Sequence, residues 1–231
     1  MNIDKVEVEI ETPDTWLKFF EAVFKRQDEL RKRYDGIEAK NGVIIPKEPW
    51  HIDDRFVQFR IKDMFWRFTE EIMEAFENID SVAISPLKCI HHWLHKWEED
   101  PNIRHFFEEL ADALHFITEA SLLANLEPKD IIKMTIPNTA RVGITTNNKD
   151  ALSIAAFNSI YMLGLAANCL KQKPWKQTHM PTDQAKFNSY LVKAWVEFFR
   201  LFGMLGCDIG FIFQVYFKKS IVNTWRQNTK Y

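Results

Sequence analysis

The sequence predicts an all-α fold, one helical bundle over residues 1–231, from three observations. Apolar residues recur with helical period, as in Ile61, Phe65, Phe68, Ile72 and Phe76, and in Phe106, Leu110, Leu114 and Ile117. Glycine is scarce, at 7 residues, which leaves few places for the tight turns of a sheet. The composition is 46% hydrophobic, with 19 Phe and 8 Trp, enough large apolar side chains for a core and too many for a disordered chain.

Thr12-Pro13-Asp14 opens the first helix, with Asp14 or Thr15 as cap, and Trp16, Phe19, Phe20, Val23, Phe24 and Leu30 carry it to about Tyr34. A loop is expected from Asp35 to about Asp54, punctuated by Gly36, Gly42, Pro46 and Pro49, with Val43-Ile44-Ile45 at most a short extended piece. The second helix runs from about Asp54 to Glu77 and is followed by a break from Asn78 to Pro86. A helix rich in His and Trp, Leu87 to about Glu98, then leads through Asp100-Pro101 into a helix over about Asn102 to Ala124. Glu127-Pro128-Lys129-Asp130 starts another short helix. Pro137 to Lys149 is polar and aperiodic, so it reads as the one substantial internal loop and a candidate lid. Three more helices are expected, over Asp150 to Leu170, Gln184 to about Leu205 and Asp208 to about Asn228, with a loop from Lys171 to Asp183.

Charge narrows the partners. The 30 basic and 32 acidic residues are mixed along the chain and leave a net charge of −2, so no field attracts nucleic acid or an anionic membrane. Cys89, Cys169 and Cys207 are far apart, without metal-ligand spacing, and read as small apolar residues in a reducing compartment. The first eleven residues alternate acids with apolar groups in place of a leader, and no charge-free stretch of membrane-spanning length is expected. A soluble cytoplasmic protein is the expectation.

The chemistry is concentrated in two acidic pairs, Glu71-Ile72-Met73-Glu74 and Glu109-Leu110-Ala111-Asp112. Residues three apart on a helix lie about 60° from each other, so each pair can reach one hard cation. With Ile72 and Leu110 as stripe centres, Glu71 and Glu109 fall about 100° to one side, and Glu74 and Asp112 about 160° away. Two helices thus present equivalent carboxylates at equivalent angles. Either pair alone would read as a solvated acidic face; together they repel, and Mg²⁺ is the natural compensating charge.

Lys219 and Arg226 lie seven apart on one face of the last helix, with Asn223 between them, which suits phosphate and sugar or base contacts; the plainer reading is a basic turn complementing the helix dipole. Gln27 offers the donor and acceptor that reading a pyrimidine edge requires, although a helical Gln is commonly solvated. His115, three residues after Asp112, reads as a supporting or packing residue. His91, His92 and His95 connect to no metal pattern.

The last helix, Tyr216-Phe217-Lys218-Lys219-Ser220-Ile221-Val222-Asn223-Thr224-Trp225-Arg226-Gln227 through Tyr231, resembles the ending of the dimeric dUTPase family, all-α nucleoside triphosphate pyrophosphatases that include phage dCTP pyrophosphatases. Ser220 stands where that family usually has Asn, and Lys230 where it usually has Gly. The two acidic pairs match its Glu-x-x-Glu and Glu-x-x-Asp motifs, the second followed by Leu114-His115-Phe116, and Gln27-Asp28-Glu29-Leu30 matches an early Gln-Asp-x-Leu element. Trp93-Leu94-His95-Lys96-Trp97 approaches a Trp-Lys-x-Trp-Lys element.

The resemblance implies Mg²⁺, with Mn²⁺ as a substitute, held by Glu71, Glu74, Glu109 and Asp112. It implies catalysis by Glu71 and Glu74, the latter orienting or deprotonating the attacking water, and substrate contacts from Gln27, Lys219, Asn223, Arg226 and Tyr231. The reaction implied is hydrolysis of dUTP to dUMP and pyrophosphate by a homodimer, with dCTP as the alternative substrate. Two other classes stay open: a carboxylate-bridged di-iron bundle, for which the chain offers only Asp112-x-x-His115, and a non-catalytic helical interaction protein.

Overall fold

The computed structural model describes residues 3, 6, 10–84, 99–139, 146, 148–173 and 177–229, with the backbone alone for 84 and 134–139. Among the described residues there are eight α-helices and no strand: α1 Trp16–Lys40, α2 Arg55–Glu77, α3 Ile79–Ile84, α4 Pro101–Leu123, α5 Pro128–Thr139, α6 Lys149–Cys169, α7 Gln184–Met204 and α8 Ile209–Asn228. The all-α prediction holds. The His- and Trp-rich segment, with Cys89, His91, His92, His95 and the Trp93 to Trp97 element, lies outside the described residues, as do Lys230 and Tyr231.

The longer helices begin where a polar side chain can take up an orphan N–H. Thr15 accepts from Lys18, Asp54 from Phe56 and Val57, Asp100 from Asn102 and Ile103, Asn148 from Ala151, Asp183 from Lys186 and Asp208 from Phe211. Pro101 fits the first turn of α4, where its missing N–H costs nothing.

Three expected boundaries are corrected. Helix α1 continues past Tyr34 to Lys40. Gly36 weakens such a helix by about 1 kcal/mol relative to Ala, and ion pairs offset this: Arg31 holds Asp28 at 2.8 Å and also Asp35, while Glu38 takes Arg60 at 2.5 Å and Arg67 at 3.4 Å. The break after Asn78 contains α3, because burial of Ile79 and Val82 anchors one more turn and a half. Helix α5 extends to Thr139, so Pro137 belongs to its last turn, where a lost ladder bond is followed by the helix end. Most of the loop expected over 137–149 lies outside the described residues.

Helix α4 is the axis of the molecule. Helix α2 packs most extensively along one side of it, and α1 and α8 pack on others, so α4 buries residues around most of its circumference. Glu109, His115, Thr118 and Glu119 are buried along with Phe106, Leu110, Leu114 and Ile117. Helix α7 packs on α6 and α5. Its Trp195 and Phe199 meet Phe20 of α1 with ring centroids 5.4 Å apart in each case, and the Trp195 indole N–H donates to Ser121 Oγ at 2.9 Å, satisfying the one polar atom of a fully buried side chain.

Helix α6 is the one described helix long and apolar enough, by length and composition, to cross a membrane. Residues 151–170 carry no Lys, Arg, Asp or Glu, which corrects the expectation that no charge-free stretch approaches that length. It lies against α7 and α2, burying Leu152, Ala155, Ala156, Leu163 and Ala166, and exposes Ile154, Phe157 and Tyr161.

Candidate active site

Because α4 is flanked by α2 on one side and by α1 and α8 on others, side chains from four helices converge along its polar line, Glu108, Glu109, Asp112, His115 and Glu119. Two clusters form there.

The first joins α2 to α4. Glu71, Glu74 and Glu109 each place a carboxylate oxygen within 4.8 Å of the other two. Glu74 is exposed, Glu71 half-buried and Glu109 buried. Burial pushes the Glu71 carboxyl up to about 9, helped by a hydrogen bond with Glu109 and by the charges of Asp112, Glu109 and Glu74. A proton shared between two carboxyl groups is the response of like charges that have no cation between them. His105 Nδ1 lies 2.9 Å from Glu109 Oε1.

Asp112, the fourth carboxylate of the sequence motifs, is turned toward α8. Lys219 Nζ is 2.9 Å from its Oδ2, and Asn223 Nδ2 donates to its Oδ1 at 3.2 Å. The Lys219 side chain is only 4% exposed, and its Nζ also reaches Glu108 Oε2 at 3.5 Å and Glu109 Oε1 at 3.8 Å. Burial acts to lower the Lys219 pKa, but Asp112 and Glu109 hold the ammonium above its ordinary value. Three of the four motif carboxylates therefore share one small volume, and the fourth is tied to Lys219 beside it.

Oxygen donors alone, crowded enough to raise a carboxyl pKa, fit a hard divalent cation such as Mg²⁺ or Mn²⁺. Among the described residues the three mutually close ligand atoms are all carboxylate oxygens, and the histidine beside them, His105, meets Glu109 alone. His115 turns away from the group, its Nδ1 lying 2.7 Å from Gln27 Oε1.

The second cluster is buried between α1, α2, α4 and α8. Arg60 of α2 approaches Glu119 Oε1 with Nε at 3.2 Å and Nη2 at 3.1 Å. Glu119 Oε2 accepts from Gln27 Nε2 at 3.2 Å. Gln27 Oε1 receives His115 Nδ1, and the Tyr216 hydroxyl lies 3.4 Å from the same oxygen while donating to the Val23 carbonyl at 3.1 Å; the Tyr216 ring packs on the His115 imidazole with centroids 4.2 Å apart. Burial raises the Glu119 carboxyl while Arg60 opposes the shift, and burial lowers His115 to about 4, so the imidazole is neutral at pH 7. Gln27, expected on a helix face, is buried.

Between the clusters lies a cavity of about 110 Å³, walled by Gln27, Met64, Asp112, His115, Glu119 and Asn223 among others. Arg226 is half-buried near the Tyr34 phenol, which also lines the cavity. Sequence reasoning missed Arg60 and Glu119. Each left a signal: Arg60 falls on the apolar stripe of α2, between Val57 and Met64, and Glu119 continues the spacing of Asp112 and His115 along one face of α4.

Comparison with known proteins matches residues 63–231 to a family model described as dUTPase, a span that holds both acidic pairs and the whole of α8 but begins after Gln27. Comparisons with curated proteins and with solved structures gave no match. The matched span covers more than half of the chain, and the chain belongs to the all-α dUTPase family of nucleotide pyrophosphatases.

Proposed function

We propose that this protein hydrolyses dUTP to dUMP and pyrophosphate with Mg²⁺ held by Glu71, Glu74 and Glu109, assisted by Asp112. The observation that carries the reading is the three-carboxylate group, within 4.8 Å, together with the fourth motif carboxylate, Asp112, in the wall of a cavity of about 110 Å³. An apolar cavity of roughly 150 Å³ holds one benzene ring, so this space is of the order of a single six-membered ring and small for a fused purine.

In the reaction a water oxygen joins one of the two phosphorus atoms that flank the bridging oxygen between the first and second phosphates, the bond from that phosphorus to the bridging oxygen breaks, and the bridging oxygen stays with the other phosphate, giving dUMP and pyrophosphate. A divalent cation supplies charge neutralisation for the leaving oxygen and acidifies water. Glu74, exposed at the rim of the group, orients the attacking water and takes its proton, while Glu71 helps anchor the cation. Asn223 faces the base and sugar, Gln27 acts on the base side through His115, Lys219 and Arg226 meet the phosphates, and Tyr231 is a further substrate-binding residue of this reading.

Lys219 is paired with Asp112 here, so its turn toward phosphate follows once a cation takes over as counter-charge for the carboxylates. A homodimer goes with this reading. Phe56, Phe59, Trp66 and Met73 form an exposed apolar stripe along the outer side of α2, the helix that carries Glu71 and Glu74, and a second copy would cover it.

The test is pyrophosphate release from dUTP, dCTP, dTTP, dATP and dGTP, with Mg²⁺ and with excess chelator. Metal-dependent release from dUTP above the others is expected. A preference for dCTP would move the substrate while keeping the metal site, and no release from any of the five would refute the reading.

A further inference from the structure

We infer that Arg60 and Glu119 are positioning residues that set the hydrogen-bond polarity of the base cavity, acting through Gln27 and His115, so that it accepts a ring N–H of the uracil type and rejects the unprotonated ring nitrogen of cytosine. This rests on the pyrimidine nucleotide reading proposed above.

The chain of bonds has only one consistent direction. A guanidinium can only donate, so Arg60 requires an acceptor at Glu119 Oε1, 3.1 and 3.2 Å away. The Glu119 carboxylate accepts on its other oxygen too and therefore takes the amide N–H of Gln27, at 3.2 Å. That fixes which way the Gln27 amide points. Its carbonyl faces His115 Nδ1 at 2.7 Å, and a carbonyl can only accept. His115 must carry its proton on Nδ1. Since the ring is neutral, Nε2 keeps a lone pair, and Nε2 is buried without any partner on a residue that walls the cavity.

A buried acceptor left unpaired is costly, and a ligand with an N–H at that place relieves it. Uracil carries a proton on its ring nitrogen between two carbonyls. Cytosine has a lone pair at the same nitrogen, which would face the Nε2 lone pair. Discrimination of this kind, where the wrong ligand leaves buried polar groups unpaired, is far stronger than discrimination by size.

The same logic predicts inversion in Glu119→Gln. Arg60 still demands an oxygen, so the new amide turns its carbonyl to Arg60 and its N–H to Gln27. Gln27 must then flip, its N–H now facing Nδ1 of His115, and the ring proton moves to Nε2. The cavity wall becomes a donor.

Two readouts test this. In ¹⁵N spectra of the ligand-free protein, with the His115 signals assigned by their loss in His115→Gln, the wild type is expected to show the Nδ1-protonated tautomer and Glu119→Gln the Nε2-protonated one. In chelator, the wild type is expected to bind dUMP at least ~10-fold tighter than dCMP, and Glu119→Gln to lose or reverse that ratio. An Nε2-protonated wild type overturns the inference even if the variant does not fold. So does an unchanged dUMP/dCMP ratio in a folded variant. These results are separable from failure of the proposed function, which shows as absence of turnover by the wild type.

Discussion

The two polar clusters along α4 differ in how their charges close. Around Glu119, one arginine and one amide satisfy both carboxylate oxygens, and the chain runs on through Gln27 to His115. Around Glu109, the carboxylates of Glu71, Glu74, Glu108 and Asp112 converge, and the cations that meet them are Lys219 and, at 4.0 Å from Glu108, Arg104. One cluster satisfies its carboxylate as folded and leaves His115 Nε2 unpaired. The other gathers more carboxylates than cations among the described residues.

The sharpest way to break this comparison is to remove one charge from each cluster. Arg60→Met strands the Glu119 carboxylate in a buried site, while Glu38 keeps Arg67, and stability in a denaturant titration should fall by about 3–5 kcal/mol. Glu71→Gln should leave the fold intact by circular dichroism yet lower Mg²⁺-dependent turnover on the order of a hundredfold or more, since a ligand is lost. Lys219→Met deletes the internal cation beside Asp112, and Mg²⁺ binding followed by calorimetry should tighten roughly tenfold, the scale of one partly screened charge several Å away.

The last prediction is a pH dependence. Glu71 has a folded pKa of about 9 against an ordinary 4.5, so its contribution to stability is complete below 4.5 and is lost as pH rises through 9. In chelator, the melting temperature of Glu71→Gln should therefore pull ahead of the wild type progressively between those values. Excess Mg²⁺ should close the gap. A gap that instead narrowed as pH rose would mean that Glu71 is not crowded by its neighbours.

The acidic cluster was the more legible of the two in the sequence. Its residues sit at matched angles beside Ile72 and Leu110, which are fully buried, so helical period alone placed Glu71 and Glu109 toward a common space. The buried chain was less so, because α4 is covered on nearly all sides. A period analysis finds the widest apolar stripe and assigns everything else to solvent; it cannot show that α1 and α8 cover His115 and Glu119. Tertiary pairing also decided the end of α1, where Arg60 and Arg67 from α2 hold Glu38 past a glycine that reads locally as a stop. Asp112 matched Glu74 in spacing and angle, yet α8 supplies Lys219 and Asn223 and draws it aside, a distinction no single helix contains.

The most direct test is dUTP turnover by wild type and Glu71→Gln across a Mg²⁺ titration starting from full chelation. Saturable Mg²⁺ dependence in the wild type, with loss of turnover at every concentration in the variant, is the predicted result. Turnover that survives chelation, or a variant that matches the wild type throughout, would contradict a cation site at Glu71, Glu74 and Glu109.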